Sequence, residues 1–224
     1  MKKDEIAEIL VSHRKTSSNV EVFSLTDTTF KVADNDNMRH YAVKVIKKNQ
    51  GRGTRGISQA YFRSRQINDL VQKVTDLILI EDCVIALLEW IDGESLKDVN
   101  RNLLPDFFAV LRGWHEKNIN AGSIYSPYTD QEYESIDAFI AAEVAYHLNM
   151  ANLATLESKC IASISGLNYG YATILHGDMH PGNVLFNGSR FVLLDPEYVH
   201  CGINLLDLDY IECRRSTEED PPWW

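Results

Sequence analysis

An aspartate on a turn, an asparagine five residues on, and a second aspartate returned by a short hairpin fall in one stretch of this chain and limit what it can fold into. The stretch is His176-Gly177-Asp178-Met179-His180-Pro181-Gly182-Asn183, with Leu194-Asp195-Pro196-Glu197 following it. The apolar run Ala172-Thr173-Ile174-Leu175 reads as a strand that delivers the loop. Val184-Leu185-Phe186 and Phe191-Val192-Leu193-Leu194 read as paired strands around Asn187-Gly188, a strong hairpin signal. That hairpin is expected to carry Asp195 back beside Asn183. A carboxylate on a rigid loop can accept the proton of an attacking hydroxyl, and an amide oxygen is a hard neutral ligand that suits Mg²⁺. A lone Asp in such a turn is more often a cap, but turn chemistry explains neither the carboxylate pair nor the Asn between them.

His-Gly-Asp-x-His-x-x-Asn followed by Asp-x-Glu resembles the catalytic loop and metal site of the aminoglycoside phosphotransferase and choline kinase family, the small-molecule branch of the protein-kinase-like fold. The resemblance implies Asp178 as catalytic base, Asn183 and Asp195 as metal ligands, and His176 as a residue bracing the loop. Gly202-Ile203-Asn204-Leu205-Leu206-Asp207-Leu208 is similar to the family's following Gly-x-x-x-x-Asp-Leu stretch, which makes Asp207 a support for the loop.

A nucleotide site is expected upstream. Arg39-His40-Tyr41-Ala42-Val43-Lys44-Val45-Ile46 alternates as a strand, with Ala42 and Lys44 on one face. A lysine in such a strand is costly unless it meets an anion, and Lys44 resembles the kinase lysine that pairs with the α- and β-phosphates. Cys83 to Leu96 reads as a buried strand running into a short connection, which the resemblance makes the hinge, with the backbone of Glu89 and Ile91 meeting adenine. Two strands, Val20–Leu25 and Thr29–Ala33, flank Thr26-Asp27-Thr28, where a kinase-like chain covers the phosphates. No glycine is present there, so the hydroxyls of Thr26, Thr28 and Thr29 and nearby N–H groups are the expected substitutes. The helix expected over Ile57 to Lys73 lacks the glutamate that kinases pair with the lysine, leaving Gln59 and Gln66 as stand-ins and Asp69 as its one acid. Gly51-Arg52-Gly53-Thr54-Arg55-Gly56 spells a dinucleotide fingerprint. Four polar residues separate it from the strand and no second βαβ unit follows, so a basic loop is the expectation.

At 224 residues with 45% hydrophobic content the chain can bury one substantial core or two small lobes. The amino terminus lacks the apolar core of a signal peptide, and no apolar run approaches the roughly 18 residues of a membrane span. A cytoplasmic protein without membrane association is expected. The net charge of -10 argues against nucleic acid as a partner. Residues 39 to 73 run against that total, with nine Lys/Arg and a single acid, Asp69. The acidic remainder suits a cationic or neutral hydroxyl acceptor, although acidic surfaces also serve solubility alone. Cys83, Cys160, Cys201 and Cys213 have no paired spacing, and reduced thiols are expected.

The fold class expected is α+β: a bilobal protein-kinase-like fold with a small antiparallel-sheet N-lobe (1–89), a hinge (90–93) and a mainly helical C-lobe (94–224). Helices are expected over Ile6–His13, Leu104–Lys117, Ser135–Leu148 and Asn152–Ile164, and Tyr128, Asp130, Glu132 and Glu143 become candidate pocket residues. His115 reads as a core-edge residue. The short stretch after Asp207, ending Trp223-Trp224, leaves the acceptor pocket open or closed by another subunit, as in a homodimer. The function expected is transfer of the γ-phosphoryl group of ATP, or another nucleoside triphosphate, to a hydroxyl of a small molecule such as an amino-sugar or amino-alcohol, with Mg²⁺. The alternatives are a Ser/Thr protein kinase and a nucleotide-binding, pseudokinase-like regulator with little turnover.

Overall fold

The computed structural model describes residues 1–48, 51–63, 70–96, 101–164 and 167–208. Gln66, Asp69, Cys213 and the terminal Trp223-Trp224 lie outside the described residues.

The chain divides into two compact units. The first comprises Met1–Ser95 with Leu185–Tyr198, and the second Leu96–Val184 with the chain from Val199 on. A single cut at residues 90–93 would place the hairpin and its Asp195 with the carboxyl half. The hairpin instead groups with the amino-terminal segment because its backbone is bonded there, Leu185 and Phe186 opposite Ser95 and Glu94.

The first unit opens with helix α1 (Lys3–Ser12), which drives Ile6 and Leu10 fully into the core. Strands β1 (Val20–Ser24), β2 (Thr29–Asp34), β3 (Arg39–Lys47), β4 (Val74–Leu79) and β5 (Cys83–Glu89) form an antiparallel sheet in the order β1-β2-β3-β5-β4. The strand carrying Lys44 is therefore central, between β2 and β5, with Lys44 opposite Thr29 on one side and Ala86 on the other. Ala42 to Ile46 are all buried in place of the expected alternation, because a central strand is covered on both faces. Ile6, Leu10, Phe30, Val32, Val43, Val45, Ile78, Cys83, Ile85 and Leu87 make the core. Asp34 pins the segment after α1: its carboxylate accepts from the Ser17 hydroxyl and N–H and from the side chain and N–H of Asn37.

Helix α2 spans Gly51–Phe62, so the glycine-rich sequence expected as a basic loop forms the first turns of a helix, and the helix expected to reach Lys73 ends well short of it. Strand β4, which the sequence reading missed, occupies the following stretch. After β5 comes β6 (Glu94–Ser95), followed in the second unit by helix α3 (Leu104–Lys117), started by Pro105 in its first turn and burying Phe107, Leu111 and Trp114. Strands β7 (Ile124–Ser126) and β8 (Gln131–Tyr133) form a small hairpin where a loop was expected. Helix α4 (Ile136–Met150) is capped by Ser135, whose hydroxyl accepts from the Ala138 N–H, and α5 (Glu157–Ile164) follows it. Strand β9 (Ala172–Leu175) precedes the catalytic-type loop, and β10 (Val184–Phe186) and β11 (Phe191–Leu193) form the hairpin that the sequence announces. Strand β12 (His200–Ile203) pairs antiparallel with β9.

Candidate active site

In the first unit the site is built around Lys44. It is 8% exposed, and its ammonium meets both carboxylate oxygens of Asp195 and lies 3.0 Å from Oε1 of Glu197. Removing one partner of such a buried pair strands the other charge and costs about 3–5 kcal/mol, so the lysine depends on these two acids. Burial pushes the Glu197 carboxyl up, the like charge of Asp195 adds to this, and Lys44 works against both. Asp195 has left-handed backbone, φ 65, uncommon for a residue with a Cβ. Gln59 does not stand in for the missing helix glutamate: among the described residues the partners of Lys44 are Asp195 and Glu197, and the Gln59 side-chain oxygen is buried without a hydrogen bond. Glycine at position 56 lets α2 come this close, since a Cβ there would lie 1.9 Å from the Glu197 carbonyl oxygen.

At the end of β5, the Glu89 N–H donates to the Lys73 carbonyl at 3.0 Å, and the Glu89 carbonyl accepts from Nε2 of Gln72 at 3.0 Å. A carbonyl has a second lone pair, so this oxygen can still accept from a ligand amine. Ile91 lies in the irregular segment that follows β5. The Thr26-Asp27-Thr28 turn closes on itself: Oγ1 of Thr26 accepts from the N–H groups of Thr28 and Thr29, and the Thr28 carbonyl accepts from the Val45 N–H. Those two N–H groups are therefore engaged.

In the second unit, β9 ends at Leu175 and the chain turns through His176 and Gly177. Gly177 has φ 76, a conformation that glycine adopts without a steric penalty. Asp207, fully buried, accepts from the N–H of His176, the N–H of Gly177 and the ring Nε2–H of His115, each at 3.0 Å. Burial alone would raise its pKa. The His115 hydrogen bond and charge, the charge of His176 and the Gly177 N–H outweigh that and hold it below the usual carboxylate range. The pairing of β12 with β9 returns the chain to this point, and the Asn204 side chain fixes the return by accepting from the Tyr171 N–H at 3.1 Å.

Asp178 is 8% exposed and Asn183 9%. Nδ2 of Asn183 donates to the Asp178 carbonyl at 3.0 Å and to Asp178 Oδ2 at 3.1 Å. With its amide nitrogen committed to Asp178, Asn183 keeps its side-chain oxygen as a hard donor atom. A short 3-10 turn, Pro181–Asn183, presents Asn183, and Nδ1 of His180 caps that turn by accepting from the Gly182 N–H at 3.1 Å. Carboxylate and amide oxygens from Asp195 and Asn183 are hard donors, a chemistry that fits Mg²⁺.

Sequence reasoning missed four contributors: His115, whose ring nitrogen bonds Asp207; His180, the cap that sets Asn183; Glu197, the second acid on Lys44; and Gln72. His115 carried a signal in its place beside Trp114 on a buried helical stripe. Glu197 carried one in its spacing from Asp195. Gln72 carried none.

A buried lysine on a central strand, an irregular connection after β5, and an Asp-Asn loop supported by a buried Asp are parts of a protein-kinase-like fold. The chain belongs to the phosphotransferase enzyme family, whose model matches residues 65–211. Three solved structures are similar in fold. One is a thermostable mutant of an aminoglycoside phosphotransferase in ternary complex with ADP and hygromycin B, with TM-score 0.63 and 16% identity, covering 92% of this chain and 75% of its own. A second is an aminoglycoside phosphotransferase from Streptomyces rimosus in complex with ADP and streptomycin, with TM-score 0.64 and 14% identity, covering 100% and 88%. The third, an aminoglycoside-3'-phosphotransferase of type VIII, has TM-score 0.59 and 16% identity, covering 100% and 87%. No curated protein matches the chain. Among the described residues no helix is long and apolar enough to cross a membrane. The chain is thus a member of a phosphotransferase family with a kinase-like fold.

Proposed function

We propose that this enzyme transfers the γ-phosphoryl group of ATP to a hydroxyl of a small molecule, an amino-sugar or amino-alcohol being the class that best suits the acidic remainder of the chain. The observation that carries the reading is the Asp178–Asn183 pair, in which one amide orients the carboxylate and keeps its own oxygen free for a metal. In the reaction the acceptor oxygen forms a bond to the γ-phosphorus, the bond from that phosphorus to the β–γ bridging oxygen breaks, and the hydroxyl proton passes to Asp178. Asp178 orients the hydroxyl and takes its proton, a contribution of roughly 10²–10⁴ in rate. Lys44 positions the α- and β-phosphates, held by Glu197 in place of a helix acid. The Glu89 carbonyl and the Ile91 N–H contact adenine, and the Thr28 hydroxyl faces the phosphates. Asn183 and Asp195 are the residues that would hold Mg²⁺, which neutralises charge on the β- and γ-phosphates. His176 and Asp207 keep the loop in register.

The test is Mg²⁺-dependent ATP consumption over a panel of amino-alcohols and amino-sugars, with the native chain and Asp178→Ala. At least a hundredfold loss in the variant is expected with the accepted substrate. If both proteins bind nucleotide but show the same negligible turnover with every acceptor, the chain is a nucleotide-binding regulator. That second reading draws on the self-closed Thr26 turn, in which the Thr28 and Thr29 N–H groups are already engaged.

A further inference from the structure

Gln72 is 7% exposed and sits just before β4, in the first unit. Its Nε2 donates to the Glu89 carbonyl at 3.0 Å, and its Oε1 accepts from the Asp195 N–H at 3.2 Å. The backbone around it is fixed as well: the Gln72 N–H donates to the Leu193 carbonyl at 2.8 Å, and the Leu193 N–H donates to the Leu70 carbonyl at 2.7 Å. One end of the side chain meets a carbonyl and needs a donor, and the other meets an N–H and needs an acceptor. An amide in one orientation satisfies both at neutral charge. A leucine or methionine would fill the same volume, so packing does not explain the residue.

The two ends of this amide fall on segments with different proposed work. Glu89 is the base-contacting end of β5, and Asp195 is the metal-binding carboxylate, held at a φ of 65 that its own side chain disfavours. Without the acceptor on Gln72, the Asp195 N–H would lose its partner and the left-handed conformation its restraint.

We propose that Gln72 is a positioning residue that braces the Asp195 backbone against the end of β5, so that the carboxylate is already set for Mg²⁺ when the nucleotide arrives. The inference rests on the nucleotide-binding reading above. It predicts that Gln72 contributes to the strengthening of nucleotide binding by Mg²⁺ and contributes little to binding without it.

The experiment is calorimetric titration with AMP-PNP, with and without Mg²⁺, on the full native chain, Gln72→Met and Gln72→Glu, each also combined with Asp195→Ala. In Gln72→Met the Mg²⁺ enhancement of affinity should fall about tenfold, the effect of stranding one buried donor, while Mg²⁺-free affinity changes less than about threefold. Gln72→Glu keeps an acceptor for the Asp195 N–H and should stay within about threefold of the native enhancement. In the Asp195→Ala background Gln72→Met should have no further effect on the Mg²⁺ response, because the two residues act through one carboxylate. Equal weakening of binding with and without Mg²⁺ in Gln72→Met, or a loss in Gln72→Glu as large as in Gln72→Met, would overturn the role. If the native chain binds Mg²⁺-AMP-PNP and both Gln72 variants keep its full enhancement, the positioning role fails while the phosphotransferase reading stands. If the native chain binds no nucleotide, both fail.

Discussion

Asp207 shows how much one buried carboxylate does for this loop. Fully buried, it accepts three N–H donors, two from the main chain and one from His115. In Asp207→Asn one of the two oxygens becomes an NH₂ group. Placed at Oδ1 it faces the Gly177 N–H, and placed at Oδ2 it faces the His176 N–H, so neither orientation avoids a donor meeting a donor. The expected cost is about 2 kcal/mol, which for a chain of this size lowers Tm by roughly 4–8 °C. Turnover should fall further than stability alone accounts for, since the loop bearing Asp178 starts at these two N–H groups. Differential scanning calorimetry and turnover at a temperature well below the variant's Tm separate the two effects. A variant with native Tm and native turnover would show that Asp207 does not hold the loop.

Helix α2 and the short turn Pro196–Tyr198 pack as closely as backbone permits, which makes Gly56→Ala a test at the scale of elements. Alanine should favour the helix by about 1 kcal/mol over glycine. Its methyl, however, would sit 1.9 Å from the Glu197 carbonyl oxygen, a main-chain atom that cannot swing aside. Overpacking of this kind costs about 1–3 kcal/mol and sometimes more, so a net loss of stability is expected, with weaker nucleotide binding because Glu197 is displaced from Lys44. A melt in which the alanine variant is the more stable protein would contradict the packing. The elements themselves were legible to differing degrees, for physical reasons. Asn187-Gly188 between apolar runs and Ser135 before a helical stripe are local signals, and the hairpin and capped helix form where those signals stand. Strand β12 was not legible, because His200-Cys201-Gly202-Ile203 is buried throughout and shows no alternation. Strand β4 was not legible either, because Val74–Leu79 shows no strict alternation of buried and exposed residues. In the site, the Asp178 and Asn183 spacing was readable along the chain. The pairing of Lys44 with Glu197, and the reach of Gln72 to Asp195, are products of tertiary folding between residues far apart in sequence.

At the scale of the molecule, each unit carries a strongly held carboxylate, Asp34 in the first and Asp207 in the second, and both make the native state sensitive to acid in the same sense. Burial raises the Asp34 pKa, but the hydrogen bonds from Asn37 and Ser17 outweigh it and bring the value down to about 2 from 3.8. Asp207 is also lowered. A carboxyl with a depressed folded pKa binds its proton more weakly in the native state than in the unfolded chain. Its stabilisation is therefore complete above the unfolded value and is lost as pH falls through the folded one. For Asp34 that window runs from 3.8 down to about 2. Near neutral pH neither group contributes a pH dependence, so their share of the Tm profile should be level there and fall through the acid window. Asp34→Asn tests this directly: the variant should melt at a lower temperature than the native chain at pH 7, with the difference shrinking as pH drops from about 4 towards 2, since protonation removes from the native protein what the substitution has already removed. The measurement is Tm against pH for both proteins in parallel at constant ionic strength. Two curves that stay parallel through the acid window would mean that Asp34 is not a source of the acid sensitivity, and that the pin between Ser17 and Asn37 acts through its geometry and not through its charge.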